Sequence, residues 1–161
     1  MIFVHLLPDL MTSSGTVGHS ETLLGPTDVA VIIDILRAST SMVTALQNGC
    51  SGIRACGTPR EAFDWKQKCS PGTVLLGGER GGVRIEGFDL GNSPAEYGAE
   101  VVRGKQVVFT TTNGTRALLK SVHAGTVIVG CFLNRSAIVR QLQRHSGDIH
   151  LVCAGTDGIV T

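Results

Sequence analysis

The feature of this sequence that most restricts its fold is an alternation of short apolar segments with segments of helical composition. The predicted strands are Ile2–Leu7, Asp28–Asp34, Gly52–Ala55, Gly72–Leu76, Gln106–Phe109, Thr126–Gly130 and Asp148–Ala154. The predicted helices are Ala38–Asn48, Pro59–Lys68, a segment from Ser93 to about Arg103, a segment from Ala117 to Lys120, and Asn134–Arg144. Strands that alternate with helices of about ten residues are typical of βαβ units. We therefore predict an α/β fold, a three-layer α/β/α sandwich around a mainly parallel sheet, with residues 1–161 in one domain.

Two polar segments interrupt this alternation. Leu10–Thr27 is rich in Gly, Ser and Thr and is predicted to be a loop. Gly77–Asn92 is long, charged and rich in glycine, and loops of this length in compact domains are often functional. Capping boxes at Thr58-Pro59-Arg60-Glu61 and Ser93-Pro94-Ala95-Glu96 predict two of the helix starts.

The segment Lys105–Leu118 passes from an apolar strand through Thr-Thr-Thr-Asn-Gly-Thr into a helix. Such a turn lies at the carboxyl end of a parallel strand, which is where open α/β sheets bind ligands. Free backbone N–H groups at the start of the helix attract anions. An ordinary turn capped by Asn113 or Thr115 explains the same residues equally well.

The composition excludes several classes of function. Hydrophobic residues make up 42%, charged residues 17% and aromatic residues 4%, and the net charge is +1. Few aromatic side chains and the lack of a Lys/Arg run argue against nucleic-acid binding. We expect neither a membrane-spanning helix nor a signal peptide, because the apolar runs are too short. The five cysteines form no C-x-x-C motif, which indicates free thiols in a reducing cytoplasm.

Polar side chains follow several predicted strands at the point where each strand ends. They are Asp34 with Arg37, Ser39 and Thr40; Glu79 with Arg80; Thr111, Thr112, Asn113, Gly114 and Thr115; Cys131 with Asn134; and Cys153 with Gly155 and Thr156. The carboxyl ends of parallel strands share one edge of a sheet, so we expect these residues to converge there.

Asp34, Glu79 and Asp89 are candidate Mg²⁺ ligands, because Mg²⁺ binds through one or two carboxylates, waters and phosphate oxygens. A helix cap, an ion pair or a solvated loop explains each of them as well, and Asp157 is a weaker candidate. Arg37 and Arg80 could bind phosphate or sulfonate oxygens, or form surface salt bridges. The histidines at positions 5, 19, 123, 145 and 150 show no ligand spacing, and we expect each to be structural or exposed.

The motifs of several known phosphate chemistries are missing. The sequence has no P-loop, no G-x-S-x-G, no H-E-x-x-H and no G-x-G-x-x-G turn of dinucleotide type. Cys131 precedes Arg135 by four positions, where a cysteine-phosphatase loop needs six. Leu36 stands where the second aspartate of the aspartyl-phosphate phosphatases would be.

Five blocks of the sequence together resemble the 2-phosphosulfolactate phosphatase family. They are Asp34-Ile-Leu-Arg-Ala-Ser-Thr, Leu76-Gly-Gly-Glu-Arg, Gly87-Phe-Asp-Leu-Gly-Asn-Ser-Pro-Ala-Glu-Tyr, Thr111-Thr-Asn-Gly-Thr-Arg-Ala and Val152-Cys-Ala-Gly-Thr. The resemblance implies an α/β/α sandwich and Mg²⁺-dependent hydrolysis of 2-phospho-3-sulfolactate to 3-sulfolactate and phosphate, on a route toward coenzyme M. Members of the family are longer, so we expect this chain to be the N-terminal part of a longer phosphatase.

On that basis we predict a site in which Asp34 and Glu79 hold Mg²⁺, with help from Asp89, and in which Asn113 joins the two carboxylates in catalysis. The predicted substrate-binding residues are Arg37, Ser39, Thr40, Arg80, Thr111, Thr112, Gly114, Thr115, Asn134, Cys131, Cys153 and Gly155. The partner is a small anionic phosphorylated substrate, neither nucleic acid nor membrane. A non-catalytic anion-binding module and a structural fragment are the alternatives. Two questions stay open: whether water attacks directly or a phosphoenzyme forms, and whether the chain forms a homo-oligomer.

Overall fold

In the computed structural model, which describes residues 1–11 and 24–160, eight strands form two sheets of four strands each. The strands are β1 (Ile2–His5), β2 (Val29–Ile33), β3 (Gly52–Ala55), β4 (Val74–Arg80), β5 (Val83–Arg84), β6 (Gln106–Thr110), β7 (Thr126–Gly130) and β8 (Ile149–Cys153). The helices are α1 (Ala38–Gln47), α2 (Pro59–Gln67), α3 (Ala99–Val102), α4 (Gly114–Lys120) and α5 (Arg135–Leu142), with 3₁₀ turns at Pro8–Met11 and Pro94–Glu96. Most of the loop predicted at Leu10–Thr27 lies outside the described residues.

The first sheet has the strand order β1-β8-β2-β7 and is parallel throughout. The second sheet has the order β3-β6-β4-β5, and only the short β5 runs antiparallel to its neighbour. The α/β class and the mainly parallel arrangement are therefore confirmed. The structure adds that the middle of the chain, from β3 to β6, forms a sheet of its own.

The helices α1 and α4 lie between the two sheets, and both contact strands of each sheet. Met42 and Ala45 of α1 pack with Val107 and Phe109 of the second sheet. Ala117 of α4 packs in a cluster with side chains of β2 and β8 in the first sheet. The outer face of the second sheet is covered by α2, and α5 packs on the outer face of the first.

Strand alternation determines which side chains face the helices between the sheets. Ala30 and Ile32 of β2 point inward to the cluster with Ala117, while Val29 and Val31 point outward to α5. By the same alternation Asp34, which follows β2, points inward.

The strand β4 extends beyond its predicted end at Leu76, through the first part of the segment predicted as a loop. Gly77 and Gly78 continue the pairing with β6, and Arg80 then pairs with Val83 across a hairpin. Gly78 has a φ of +136°, and a Cβ there would collide with the Thr110 carbonyl oxygen. The glycines that suggested a loop thus allow a close approach between strands.

The helix predicted from Ser93 to about Arg103 is divided into a 3₁₀ turn and the short α3. The capping interaction is present, since the Ser93 N–H donates to Glu96 Oε1 at 3.4 Å. Tyr97 interrupts the helix because its buried side chain donates from the phenol to the Gly91 carbonyl at 2.6 Å. The Thr58 cap on α2 is confirmed, as its hydroxyl accepts the Glu61 N–H at 3.2 Å.

No helix within residues 1–11 and 24–160 is long and apolar enough to cross a membrane.

His5 and His150 form a buried pair on the inner face of the first sheet. Their Nε2 and Nδ1 atoms lie 2.9 Å apart, and the stacked rings have centroids 5.2 Å apart. Asp28 Oδ2 lies 3.7 Å from His150 Nε2, which is too far for a hydrogen bond. Burial, and then the charge of His150, lowers the pKa of His5. These two histidines are structural, as predicted, whereas His19 lies outside the described residues.

The stability of the fold should therefore fall as the pH is lowered. The folded state favours neutral His5, so below the ordinary histidine pKa of about 6.5 the unfolded chain binds more protons than the folded chain. The urea midpoint should be highest above that pH and fall between about pH 7 and about pH 5. His5→Gln should weaken this dependence, and His123→Gln, at an exposed position, should leave it unchanged. An undiminished fall in the His5→Gln chain would contradict this role.

Candidate active site between the two sheets

The carboxylate of Asp34 is held by a tight turn between β2 and α1. The Asp34 N–H donates to the Ser39 hydroxyl at 2.9 Å, and the Ser39 N–H donates to the Asp34 carbonyl at 2.8 Å. Asp34 Oδ1 accepts the Ala38 N–H at 3.3 Å. These bonds fix the partly buried carboxylate on the inner side of the first sheet.

Glu79 supplies a second carboxylate, from the end of β4 in the second sheet. It is only 7% exposed. Its Oε1 accepts the Thr112 N–H at 2.8 Å, and its Oε2 accepts the Gly82 N–H at 2.7 Å and the Thr112 hydroxyl at 3.3 Å. Hydrogen bonds from the backbone N–H groups of Thr112 and Gly82 therefore offset the free-energy cost of burying the Glu79 carboxylate.

The two carboxylates interact electrostatically although they come from different sheets. Burial, together with the negative charge of Glu79, raises the pKa of Asp34, and backbone N–H groups of Ala38, Gly114 and Arg37 act in the opposite direction. The structure thus brings together the two residues that the sequence placed at the centre of the site. We call Asp34 and Glu79 the carboxylate pair.

The turn after β6 holds α4 against Asp34. The Thr111 N–H donates to the Thr115 hydroxyl at 2.7 Å, and the Thr115 N–H donates to the Thr111 hydroxyl at 3.1 Å. A Cβ on Gly114 would lie 2.7 Å from Asp34 Oδ2 and 2.7 Å from the Ala38 Cβ. Gly114 is therefore the residue that allows the start of α4 to approach the carboxylate.

Asn113 precedes α4 but makes no capping bond with its side chain. Its Oδ1 instead accepts the Asp157 N–H at 3.0 Å. Asp157 lies in a turn closed by hydrogen bonds between Thr156 and Ile159. The C-terminal turn, which contains Gly155, therefore reaches the rim of the site beside Asn113.

The two predicted arginines differ in their surroundings. The Arg80 guanidinium donates to the carbonyls of Glu79 and Gly57, at 2.8 and 3.0 Å, and to the Thr110 hydroxyl at 2.8 Å. Arg37 is exposed, and its guanidinium has no partner among the residues that the structure describes. Arg80 is thus fixed in place by the protein.

The hydroxyls predicted at the start of α1 are used within the turn. Ser39 donates to the Ile32 carbonyl at 3.3 Å, and Thr40 donates to the Ile35 carbonyl at 2.7 Å. Both side chains stabilise the segment that carries Asp34.

Asp89 is not part of the carboxylate pair. Its Oδ2 accepts the Leu76 N–H and the Lys66 ammonium, each at 2.7 Å. It lies on the α2 side of the second sheet, opposite to Glu79. No group of three or more His, Cys, Asp or Glu suited to a metal ion occurs in the described part of the chain. The predicted help of Asp89 in holding Mg²⁺ stays a prediction.

Cys131, Asn134 and Cys153 lie at the ends of the two strands that flank β2, which are β7 and β8. The Asn134 amide closes the turn after β7, accepting the Cys131 N–H at 2.9 Å and donating to the Val129 carbonyl at 2.8 Å. Cys131 lines an apolar groove on the outer face of the first sheet. Cys153 alternates with the inward-facing Val152 and so points to the same outer side. The carboxyl ends of parallel strands meet at one edge of a sheet, but the side chains of consecutive residues point to opposite faces of that sheet.

Two functional candidates were not identified from the sequence. Arg116 and Lys120 of α4 both form ion pairs with Asp9, and both line a cavity next to Thr112. Their spacing of four residues puts two cations on one helical face. That spacing was the available signal, but it is common on exposed helices.

A family model described as 2-phosphosulpholactate phosphatase matches residues 18–161. A probable 2-phosphosulfolactate phosphatase of Caldanaerobacter subterraneus subsp. tengcongensis is 48% identical over 128 residues, which are 80% of this chain and 53% of that protein. The proteins of the same name from Clostridium beijerinckii and Thermotoga maritima are 45% and 47% identical, over 81% and 80% of this chain and 55% and 54% of their own lengths. The chain spans about half the length of the curated relatives it matches.

Substitution of Gly114 should test the close approach of α4 to Asp34. Gly114→Ala should lower the free energy of unfolding by about 1–3 kcal/mol, because its Cβ has no room beside Asp34 and Ala38. Gly52→Ala is the matched control, since nothing lies within 4 Å of a Cβ there. It should change stability by no more than about 0.5 kcal/mol in urea unfolding. Equal stabilities of the two variants would refute the close packing.

Proposed function

The chain belongs to the 2-phosphosulfolactate phosphatase family, and on that premise we propose that it carries the phosphatase site for 2-phospho-3-sulfolactate or a related small phosphorylated acid. The products would be 3-sulfolactate and phosphate. The observation that carries this proposal is the pairing of Asp34 and Glu79, two carboxylates from different sheets that lie close enough to interact.

Mg²⁺ suits this pair of carboxylates. Magnesium is bound through one or two carboxylates together with waters and substrate phosphates. Two neighbouring carboxylates repel each other, and the raised pKa of Asp34 reflects burial beside a like charge. Asp34 and Glu79 would hold the ion. When bound, it would neutralise charge on the phosphoryl group and orient the attacking group.

Hydrogen-bond donors around the carboxylate pair would bind the phosphoryl group. Arg80 uses three of its five N–H groups within the protein, which leaves two for a phosphoryl oxygen. Arg37, whose guanidinium has no partner among the described residues, would bind a further oxygen of the substrate. Because Asn113 accepts the Asp157 N–H through Oδ1, its Nδ2 group is left as a donor. These groups would bind and orient the transferred phosphoryl group.

The positions of the cysteines favour water as the attacking group. Cys131 lines an apolar groove on the outer face of the first sheet, and Cys153 alternates with the inward-facing Val152. All five cysteines are free, at positions 50, 56, 69, 131 and 153. Free thiols are typical of a reducing cytoplasm, which we propose as the place of the reaction. The reaction would be one step on a route toward coenzyme M.

The proposal is tested by phosphate release from 2-phosphosulfolactate. The 161-residue chain should release phosphate with Mg²⁺ present and stop when EDTA is added. Asp34→Asn and Glu79→Gln should each lower kcat by about a hundredfold, as expected for the loss of one positioned charged group. Asp64→Asn, at an exposed position on α2, should have no effect. Full turnover in EDTA would remove the metal from the mechanism, and full turnover by Asp34→Asn would remove Asp34 from the site.

A non-catalytic anion-binding module is the second candidate, since Arg37 and Arg80 would bind an anion whether or not it is cleaved. It predicts that calorimetry detects binding of 3-sulfolactate while no phosphate is released. Phosphate release at a rate that depends on Asp34 excludes it.

A further inference from the structure

We propose that a cationic cavity beside α4 is a second anion subsite, which binds the anionic group of the substrate that is not cleaved. This cationic cavity has a volume of about 470 Å³. It is lined by Gly57, Arg80, Thr111, Thr112, Arg116, Leu119 and Lys120. The proposal rests on the function proposed above and adds the residues that recognise the rest of the substrate.

The charge of the cavity fits an anion. Arg80, Arg116 and Lys120 line it, and none of its lining residues in the described part of the chain is acidic. Asp9 is paired with both Arg116 and Lys120 from the neighbouring 3₁₀ turn. Three positive charges and one negative charge leave an excess of two positive charges at the cavity. A sulfonate or carboxylate is the chemistry that such a set of donors recognises.

The cavity adjoins the carboxylate pair. Thr112 lines the cavity, and its N–H and hydroxyl both donate to Glu79. Arg80 also lines the cavity and follows Glu79 directly in β4. A small molecule with its phosphate at the carboxylate pair would therefore extend past Thr112 and place a second anionic group in the cavity.

Arg116 and Lys120 remain available to bind a ligand although both form ion pairs with Asp9. The side chains of Arg116 and Lys120 are 46% and 40% exposed, and that of Asp9 is 43% exposed. Ion pairs this exposed contribute little to stability. A ligand that presents several oxygens can share or replace Asp9 without loss of a buried interaction. Arg80 differs, because its partners are backbone carbonyls and a threonine hydroxyl.

The experiment is titration calorimetry on the 161-residue chain with 3-sulfolactate, lactate and 2-hydroxyethanesulfonate, none of which can be hydrolysed. Arg116→Gln and Lys120→Gln should each weaken 3-sulfolactate binding by about tenfold, the effect of one charge-assisted hydrogen bond. Arg140→Gln, an exposed arginine on α5, is the matched control and should bind as the parent chain does. Urea unfolding should show equal stability for all three variants, since Gln suits a helix.

The two simpler anions identify the group that is bound. If the cavity takes the sulfonate, the α4 variants should weaken binding of 2-hydroxyethanesulfonate and leave lactate unaffected. If it takes the carboxylate, the reverse should hold. Either result supports the subsite.

Two results would overturn the subsite: no detectable binding of 3-sulfolactate by the parent chain, or equal affinity in the parent and both α4 variants. Failure of the phosphatase proposal has a different signature. In that case the parent chain releases no phosphate, yet 3-sulfolactate binding still depends on Arg116 and Lys120.

Discussion

The site depends on two carboxylates that are held close together although they come from different sheets. Asp34 directly follows β2 in the first sheet, and Glu79 lies near the end of β4 in the second. Each is compensated by backbone N–H groups, those of Ala38 for Asp34 and those of Thr112 and Gly82 for Glu79. This network permits two like charges to remain near each other in a partly buried position, which would otherwise be unfavourable.

The helices between the sheets set the geometry of that pair. Both α1 and α4 begin at the site, and Gly114 lets α4 approach Asp34 to within van der Waals distance. The same α4 carries Arg116 and Lys120, which line the cationic cavity. The proposed site for a cation and the phosphoryl group therefore adjoins the proposed site for a second anion through Thr112. A substrate with two or more anionic groups would fit both sites.

The class of the fold and the centre of the site could be predicted from local sequence. Apolar strands and polar strand ends identified Asp34, Glu79 and the turn at Thr111–Thr115. The division into two sheets could not be predicted, because it depends on which strands pair over long distances. Asp89 and Cys153 were also predicted from their place near strand ends. The Asp89 carboxylate accepts from Lys66 and the Leu76 N–H, and Cys153 alternates with the inward-facing Val152. Arg116 and Lys120 were missed because their role depends on the cavity that the fold forms beside them.

Paramagnetic broadening by Mn²⁺, used in place of Mg²⁺, tests most directly whether the two sheets form one cation site. The amide signals of Ala38 and Gly114 report on Asp34, those of Gly82 and Thr112 report on Glu79, and that of Leu76 reports on Asp89. The account predicts that the first four signals broaden together at the lowest Mn²⁺ concentrations and that Leu76 broadens less. Broadening around only one carboxylate of the pair, or around neither, would contradict it.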